Sequence, residues 1–266
     1  NVDIIAGAST AFYGPGAFNG VISMTTKDPF QYQGISAQVK AGERALTETA
    51  VRYAEAFKLW AGYDNIAFKI NLFYLTANDW EANNYNPVDG SPVGADNPGR
   101  YDAINIYGDE SLESNNDFNS YEDVVFANRP GLGVFYRPGY KEVDLVDYGT
   151  KNFKANAGLF YKFRDEAQLS YNFNYGTGTT VYQGENRFSL KGIQFFQNVI
   201  ELKKKDKFFI RAYSTQEDAG KSYDAVLTAF KMNDIIYGPE KEWNNAYSAL
   251  WTKAPFRFAN AFQNAA

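Results

Sequence analysis

The 266-residue chain has no cysteine and no histidine. Without thiols there is no disulfide framework, thiolate metal cluster or cysteine nucleophile, and the redox character of the compartment leaves no mark. Without imidazole the chain lacks the commonest general base near neutral pH and the commonest metal ligand, and serine–histidine triads are excluded. With no paired-carboxylate motif either, an enzyme is the least expected class. No apolar run reaches the roughly 18 residues of a membrane-spanning helix, a criterion that a strand-built membrane protein escapes. An initiating methionine, a basic n-region and an apolar h-region are also missing, so any targeting peptide is expected outside this stretch.

Aromatic residues are abundant: 20 Tyr, 22 Phe and 4 Trp make up 17% of the chain. Rings fit the pleated surface of strands, so the composition points to β-structure. The net charge of −5 is uneven. Residues 78–149 hold 14 acidic and 4 basic side chains, and the rest of the chain is net basic. Local acidity of this size argues against a nucleic-acid partner, whose phosphates it would repel.

Hydrophobic alternation predicts seven strands. The clearest is TKNFKANAGLFYKF (150–163), with Phe153, Ala155, Ala157, Leu159, Tyr161 and Phe163 on one face and Lys154, Asn156 and Lys162 on the other. AQLSYNFNY (167–175) repeats the pattern after the polar link 164–166, so the two read as a hairpin. GISAQVKAG (34–42) and NIAFKINLFYLTANDW (65–80) alternate likewise, with TETAVRYAEAF (47–57) a weaker strand between them. RFSLKGIQFFQNVIEL (187–202) alternates in part, with a bulge expected near Gly192, and KFFIRAYS (207–214) follows the charged turn Lys203 to Asp206.

Links at 164–166, 203–206 and 58–64 are short, whereas 78–149, 178–186 and everything after Ser214 read as long connections. The 72-residue stretch 78–149 is too long for an ordinary soluble loop, and a connection of this length is expected to be either functional or disordered. In the tail, SYDAVLTAFKMND (222–234) places Tyr223, Val226, Leu227 and Phe230 at helical spacing after Ser222 as N-cap.

Strands with one apolar face suit two architectures. In a soluble sandwich the apolar faces meet in a core, and a soluble carbohydrate-binding sandwich is one functional alternative. In an outer-membrane barrel they meet lipid while polar faces line the lumen. The barrel is favoured by clean strands of nine to eleven residues, the length that crosses a tilted bilayer span. Alternating short and long links and aromatics near strand ends, such as Tyr74 and Trp80, point the same way.

IAGASTAFYGPGAFNGVISMTTK (5–27) closely resembles the end of the plug domain of TonB-dependent outer-membrane receptors, where such a stretch leads into the first barrel strand. Gly7, Ser9, Tyr13, Gly14, Ala17, Gly20, Val21, Ile22, Thr26 and Lys27 fall in register with the pattern. Glycines at 14, 16 and 20 suit a segment that folds back sharply and approaches other backbone closely. The wording, with GISAQVKAGER and FYLTANDWEANNY downstream, looks most like the Bacteroidota branch. Starch-utilisation-type members usually carry Asp-Ala-Ser-Ala-Thr-Ala and then Tyr-Gly-Ser-Arg; AGASTAFYGPG departs from this and leaves the substrate open.

The resemblance implies an all-β fold: part of a transmembrane antiparallel β-barrel of the 22-stranded type, with the C-terminal end of a plug. Residues 1–30 are then the plug end, 31–215 the first barrel strands with an extracellular loop 78–149, and 216–266 a further extracellular loop with a short helix. It implies that the remaining plug and strands lie outside this stretch. The implied activity is import of a bulky, scarce solute (siderophore, glycan, peptide or cobalamin-like) in the bacterial outer membrane. Implied partners are TonB, lipid and a surface lipoprotein capping the loops.

Trp80, Tyr85, Tyr101 and Tyr107 are candidate ligand contacts because aromatic faces stack on such solutes, although each could merely pack its loop. The acidic string 102–113 offers oxygen ligands for calcium but lacks EF-hand spacing, which makes a solvated loop the simpler reading. No cofactor, resident metal or catalytic residue is expected. A non-transporting barrel that docks through loop 78–149 in a surface or secretion assembly is the other alternative.

Overall fold

A computed structural model describes residues 2–7, 19–24, 26–59, 65–109, 134–164, 166–184 and 186–250. Two short strands, β1 (Val2–Ala6) and β2 (Gly20–Met24), form an antiparallel hairpin. The seven expected strands follow as β3 (Gly34–Ala41), β4 (Thr47–Phe57) and β5 (Ile66–Asn78), and then β8 (Gly149–Lys162), β9 (Gln168–Gln183), β10 (Arg187–Lys204) and β11 (Phe208–Asp218). Between β5 and β8 lie the two-residue strands β6 (Ile106–Tyr107) and β7 (Tyr140–Lys141) and a single turn α1 (Glu142–Leu145). After β11 come β12 (Tyr223–Asp224) and helix α2 (Ala225–Tyr237). A second helical stretch runs over 240–250.

The long strands pair with their sequence neighbours in one antiparallel meander, ordered β3-β4-β5-β8-β9-β10-β11. The fold is all-β in this sense. Among the described residues the sheet stays open, with β3 paired only to β4 and β11 only to β10 apart from the branch strand β12 on β10. Antiparallel alternation sends the connections to two ends. Of the described residues, the upper end carries 42–46, 79–109, 134–148 and 219–250, together with the turn between β9 and β10; the lower end carries the turns between β4 and β5, between β8 and β9 and at 205–207.

Two expectations are corrected. Residues 178–186 are not a long connection: β9 runs on to Gln183 and β10 begins at Arg187, paired Gln183↔Arg187. The run GTGTTVYQ hides a strand because its threonines and glycines break the apolar rhythm while keeping extended backbone. The cap of α2 is Asp224, not Ser222; its side chain accepts a hydrogen bond from the Leu227 amide at 2.9 Å. Ser222 instead accepts from the Lys191 amide, and Tyr223–Asp224 pair with β10 before the helix begins. The upper boundary of the tail also shifts, since β11 extends to Asp218.

The bulge expected near Gly192 is present. Lys191 opposes Thr179 and Ile193 opposes Gly178, leaving Gly192 unpaired at φ 65. A left-handed residue here is a cost that glycine alone avoids. The bulge also docks the turn after β11: Gly220, at φ 62, lies so close that a Cβ would meet the Lys191 and Gly192 carbonyl oxygens at 2.5 Å.

One rule orders the faces. Register aligns Ile35, Tyr53, Ile70, Ala157 and Phe173 on one flank, and the aliphatic and aromatic residues at alternate positions above and below join them. This flank is uncovered: Ile35 is 75% exposed, Leu159 60% and Ile210 65%. No second sheet packs on it among the described residues, and exposed apolar side chains recur on it across the sheet, from Ile35 on β3 to Ile210 on β11. Glu55, near its lower border, accepts a 2.6 Å hydrogen bond from the Tyr53 hydroxyl.

Gly192→Ala is expected to cost about 1 kcal/mol through its left-handed backbone alone, because its Cβ would meet open space. Gly220→Ala adds a backbone clash and is expected to cost about 3 kcal/mol. Thermal midpoints of the two variants check the order; equal shifts would mean that the turn is not docked on the bulge.

Candidate functional site

The polar flank is where side chains converge. One row crosses the whole sheet through directly opposed residues: Ser36↔Arg52↔Asn71↔Asn156↔Asn174↔Gln197↔Thr215. Its amides form a directed chain. Asn71 Nδ2 donates to Asn156 Oδ1 at 2.7 Å, Asn156 Nδ2 to Asn174 Oδ1 at 2.7 Å, and Asn174 Nδ2 to Gln197 Oε1 at 3.1 Å. Hydrogen bonds aligned in series polarise one another, so such a row is stiffer than its separate links.

A cavity of about 700 Å³ lies on this face and touches all seven long strands, from Ser36 on β3 to Thr215 on β11. Laid flat, six strand spacings would separate those edges by about 29 Å. Both edges reach a single cavity only because the sheet curls, with its polar flank concave. Above the amide row stand Phe73, Lys154, Gly176 and Phe195, again directly opposed in sequence of strands.

A second cavity of about 750 Å³ lies below the row, and the N-terminal segment forms part of it. Val21, Ser23, Thr26, Lys27, Asp28 and Pro29 line one side; Lys69, Phe160, Asn172, Glu201 and Lys203 line the other. Lys69, only 4% exposed, donates to Thr26 Oγ1 at 2.6 Å and lies 5.0 Å from the centre of the Phe160 ring. Lys162 sits 3.8 Å from the centre of the Phe30 ring. The chain leading into β3 is thereby held against the concave side.

Of the expected motif residues, Gly7 adopts φ 89 and donates its amide to the Asn19 carbonyl at 3.2 Å. Gly20 is packed so that a Cβ would stand 3.0 Å from the Ile5 carbonyl oxygen. Thr26 and Lys27 line the lower cavity, and Lys27 also lies over the Tyr32 ring. Ser9, Tyr13, Gly14 and Ala17 lie outside the described residues.

The four expected ligand contacts are placed above the sheet, and none lines either cavity. Trp80 is 69% exposed with the Arg44 guanidinium 4.5 Å above its ring. Tyr101 donates its hydroxyl to the Tyr85 carbonyl at 2.7 Å, and Lys141 lies over the Tyr85 ring. Tyr107 is buried.

Tyr107 belongs to a lock that the sequence did not reveal. Glu142, fully buried, accepts from the Tyr107 hydroxyl at 2.5 Å, the Tyr148 hydroxyl at 2.7 Å and Arg187 Nε at 2.9 Å. A buried carboxylate is tolerable only with such a full set of donors and a countercharge. Arg187 opens β10, so the lock fastens the connection 79–148 to the upper rim. Helix α2 closes on the same connection: Asn233 donates to the Gly108 and Pro138 carbonyls, and Arg137 pairs with Asp234 at 3.0 Å. Tyr107, Val146, Val181, Ala225 and Ala229 form the apolar centre of this cap.

Burial first, and the hydrogen bond to Glu142 second, push the Tyr107 and Tyr148 hydroxyls up, Tyr148 to about 12. Burial likewise raises Asp102. No group of three or more acidic side chains that could hold a metal ion is present among the described residues, and residues 110–113 of the acidic string lie outside them.

Amide rows and buried locks are properties of register, and only partial signals for them exist in the sequence. The hairpin centred on 163–167 pairs Asn156 with Asn174 by symmetry, whereas Glu142 and Arg187 carry no local mark of their meeting. No family model, curated protein or solved structure matches the chain.

A tyrosine with a raised folded-state pKa stabilises below its ordinary value of about 10 and loses that contribution as pH rises toward the folded value. The cap is therefore expected to loosen between about pH 10 and 12, with Tyr148→Phe blunting the transition; tyrosinate absorbance during an alkaline titration checks this. Glu142→Gln leaves Arg187 without its countercharge and should cost the cap about 3 kcal/mol, seen as faster amide exchange over residues 140–148.

Proposed function

We propose that the chain is part of an outer-membrane transporter of the TonB-dependent type, its seven long strands forming part of a barrel wall and its N-terminal hairpin the end of a plug. The observation that carries this reading is the division of one curled sheet into an uncovered apolar outer flank and a hydrogen-bonded polar inner one. In water the outer flank would be prohibitively exposed; in hydrocarbon it is at home. Nine alternating residues from Phe153 to Tyr161 supply a tilted crossing of the apolar layer. Open edges at β3 and β11 would be costly in lipid and call for further strands to pair with them.

The reading is also supported by the seating of residues 21–24 and 26–30 on the concave side, with Thr26 held by Lys69 and Phe30 by Lys162. In the proposed mechanism solute enters beneath the cap, and TonB, drawing on the inner-membrane proton gradient, remodels the plug so that solute passes along the polar wall. Residues of this chain then bind, guide and gate; none makes or breaks a bond. The locked connection 79–148 and helix α2 form the external rim of the path.

This chain has no cysteine of its own, so a cysteine introduced here labels a single site once any cysteine elsewhere in the protein is replaced by serine. In the whole natural protein reconstituted in bilayers, a fluorophore on Leu159→Cys or Leu72→Cys is expected to be quenched by brominated lipid tails. One on Ser36→Cys or Thr215→Cys should instead be quenched by aqueous iodide. Alternation in the opposite sense, or no lipid quenching anywhere, overturns the membrane wall. Transport is tested separately: deleting TonB should abolish cellular accumulation of any solute whose uptake depends on this protein, and unchanged accumulation removes the transporter reading.

A further inference from the structure

We propose that the cavity above the amide row binds an anionic, hydroxyl-rich solute, an acidic sugar being the class that meets all of its walls. The inference rests on the transporter reading for its route of access, and on the cavity's own chemistry for its ligand.

Charge comes first. Among the described residues the two charged side chains lining the cavity, Arg52 and Lys154, are both positive, and no carboxylate lines it. The lower cavity carries the same net excess of two positive charges, but there Asp28 and Glu201 stand among Lys27, Lys69, Lys203 and Arg211, and those carboxylates would repel an anion's own. None of the described residues of the N-terminal segment (2–7, 19–24 and 26–30) lines the upper cavity.

Hydroxyl recognition follows from the amide row. Its donors all run from Asn71 toward Gln197, so Asn71 Oδ1 receives no hydrogen bond and Gln197 Nε2 finds no protein acceptor among the described residues. A free acceptor and a free donor thus face the cavity at the two ends of a rigid row. Sugar hydroxyls, which donate and accept alike, satisfy both kinds of group, whereas a bare inorganic anion leaves Asn71 Oδ1 unpaired.

Shape completes the case. Phe73 and Phe195 flank the gap that Lys154 and Gly176 leave in the row above, and their rings offer the apolar surface that sugar C–H faces stack on. Gly176 has nothing within 4 Å of where a Cβ would stand, which leaves a recess between the two rings. Lys154 Nζ, 5.5 Å from the centre of the Phe73 ring, stands at the edge of that recess. The volume of about 700 Å³ suits two or three sugar rings.

The test uses the whole natural protein in detergent and calorimetry with three probes: a galacturonate trimer, the neutral galactose trimer and citrate. The acidic trimer is expected to bind at least about tenfold more tightly than either of the others. Lys154→Gln and Arg52→Gln should each weaken it about tenfold or more, Lys154→Arg should stay within about threefold, and Gly176→Val should abolish binding by filling the recess. Heat-dependent gel migration confirms that each variant is folded. No binding of the acidic trimer, equal binding of the neutral trimer or citrate, or indifference to both Lys154→Gln and Gly176→Val overturns the proposal. If the lipid-quenching pattern holds while the acidic trimer fails, only the ligand site falls. If quenching fails while the trimer binds, only the transporter reading falls.

Discussion

The whole arrangement depends on side-chain parity being kept from strand to strand. In a pleated sheet a slip of one residue sends every side chain to the opposite face. Six successive antiparallel pairings hold their register without such a slip, except at Gly192, where the single extra residue is needed. Without the bulge Asn174 would oppose Phe196, and Glu201 and Lys203 would move to the apolar flank while Ile200 and Leu202 turned inward. The bulge places Gln197 at the end of the amide row instead. One left-handed glycine therefore decides the solvent preference of the lower two-thirds of β10.

From that parity the two faces acquire different physics. The outer flank gains only lateral contacts within itself, such as Tyr53 against Phe68 and Tyr175 against Phe196, and most of its aliphatic and aromatic surface meets whatever medium surrounds it. The inner flank is held internally by a row of amides and by cations placed against rings. Under the proposed reading, this contrast allows a strong wall to enclose a wet path.

The upper end obeys a different constraint. A connection of 70 residues between β5 and β8 would be entropically expensive to order by surface contacts alone. The described part is ordered by burying one carboxylate among two phenols and a guanidinium, and by backing it with α2. Tyr107 illustrates the effect: an aromatic residue in a polar loop looks like a ligand contact, yet its hydroxyl is committed to Glu142. Trp80 and Tyr101, by contrast, remain at or near the surface of the same connection.

All seven long strands, the bulge and the tail helix were legible from residue order, because alternation of period two and helical spacing are local consequences of backbone geometry. The second half of β9 was not, since threonine and glycine make extended backbone without an apolar rhythm; nor was the Asp224 cap, hidden by an earlier serine equally suited to the role. By itself the sequence determined which residues share a face within each strand, and hence that each strand has an oily side and a wet one. Only the tertiary structure decided that Asn71, Asn156, Asn174 and Gln197 form one continuous row, that the wet side is the concave one, and that Glu142 meets Arg187. Those relations join residues tens of positions apart, so they depend on how strands register, curl and close over one another rather than on any local preference.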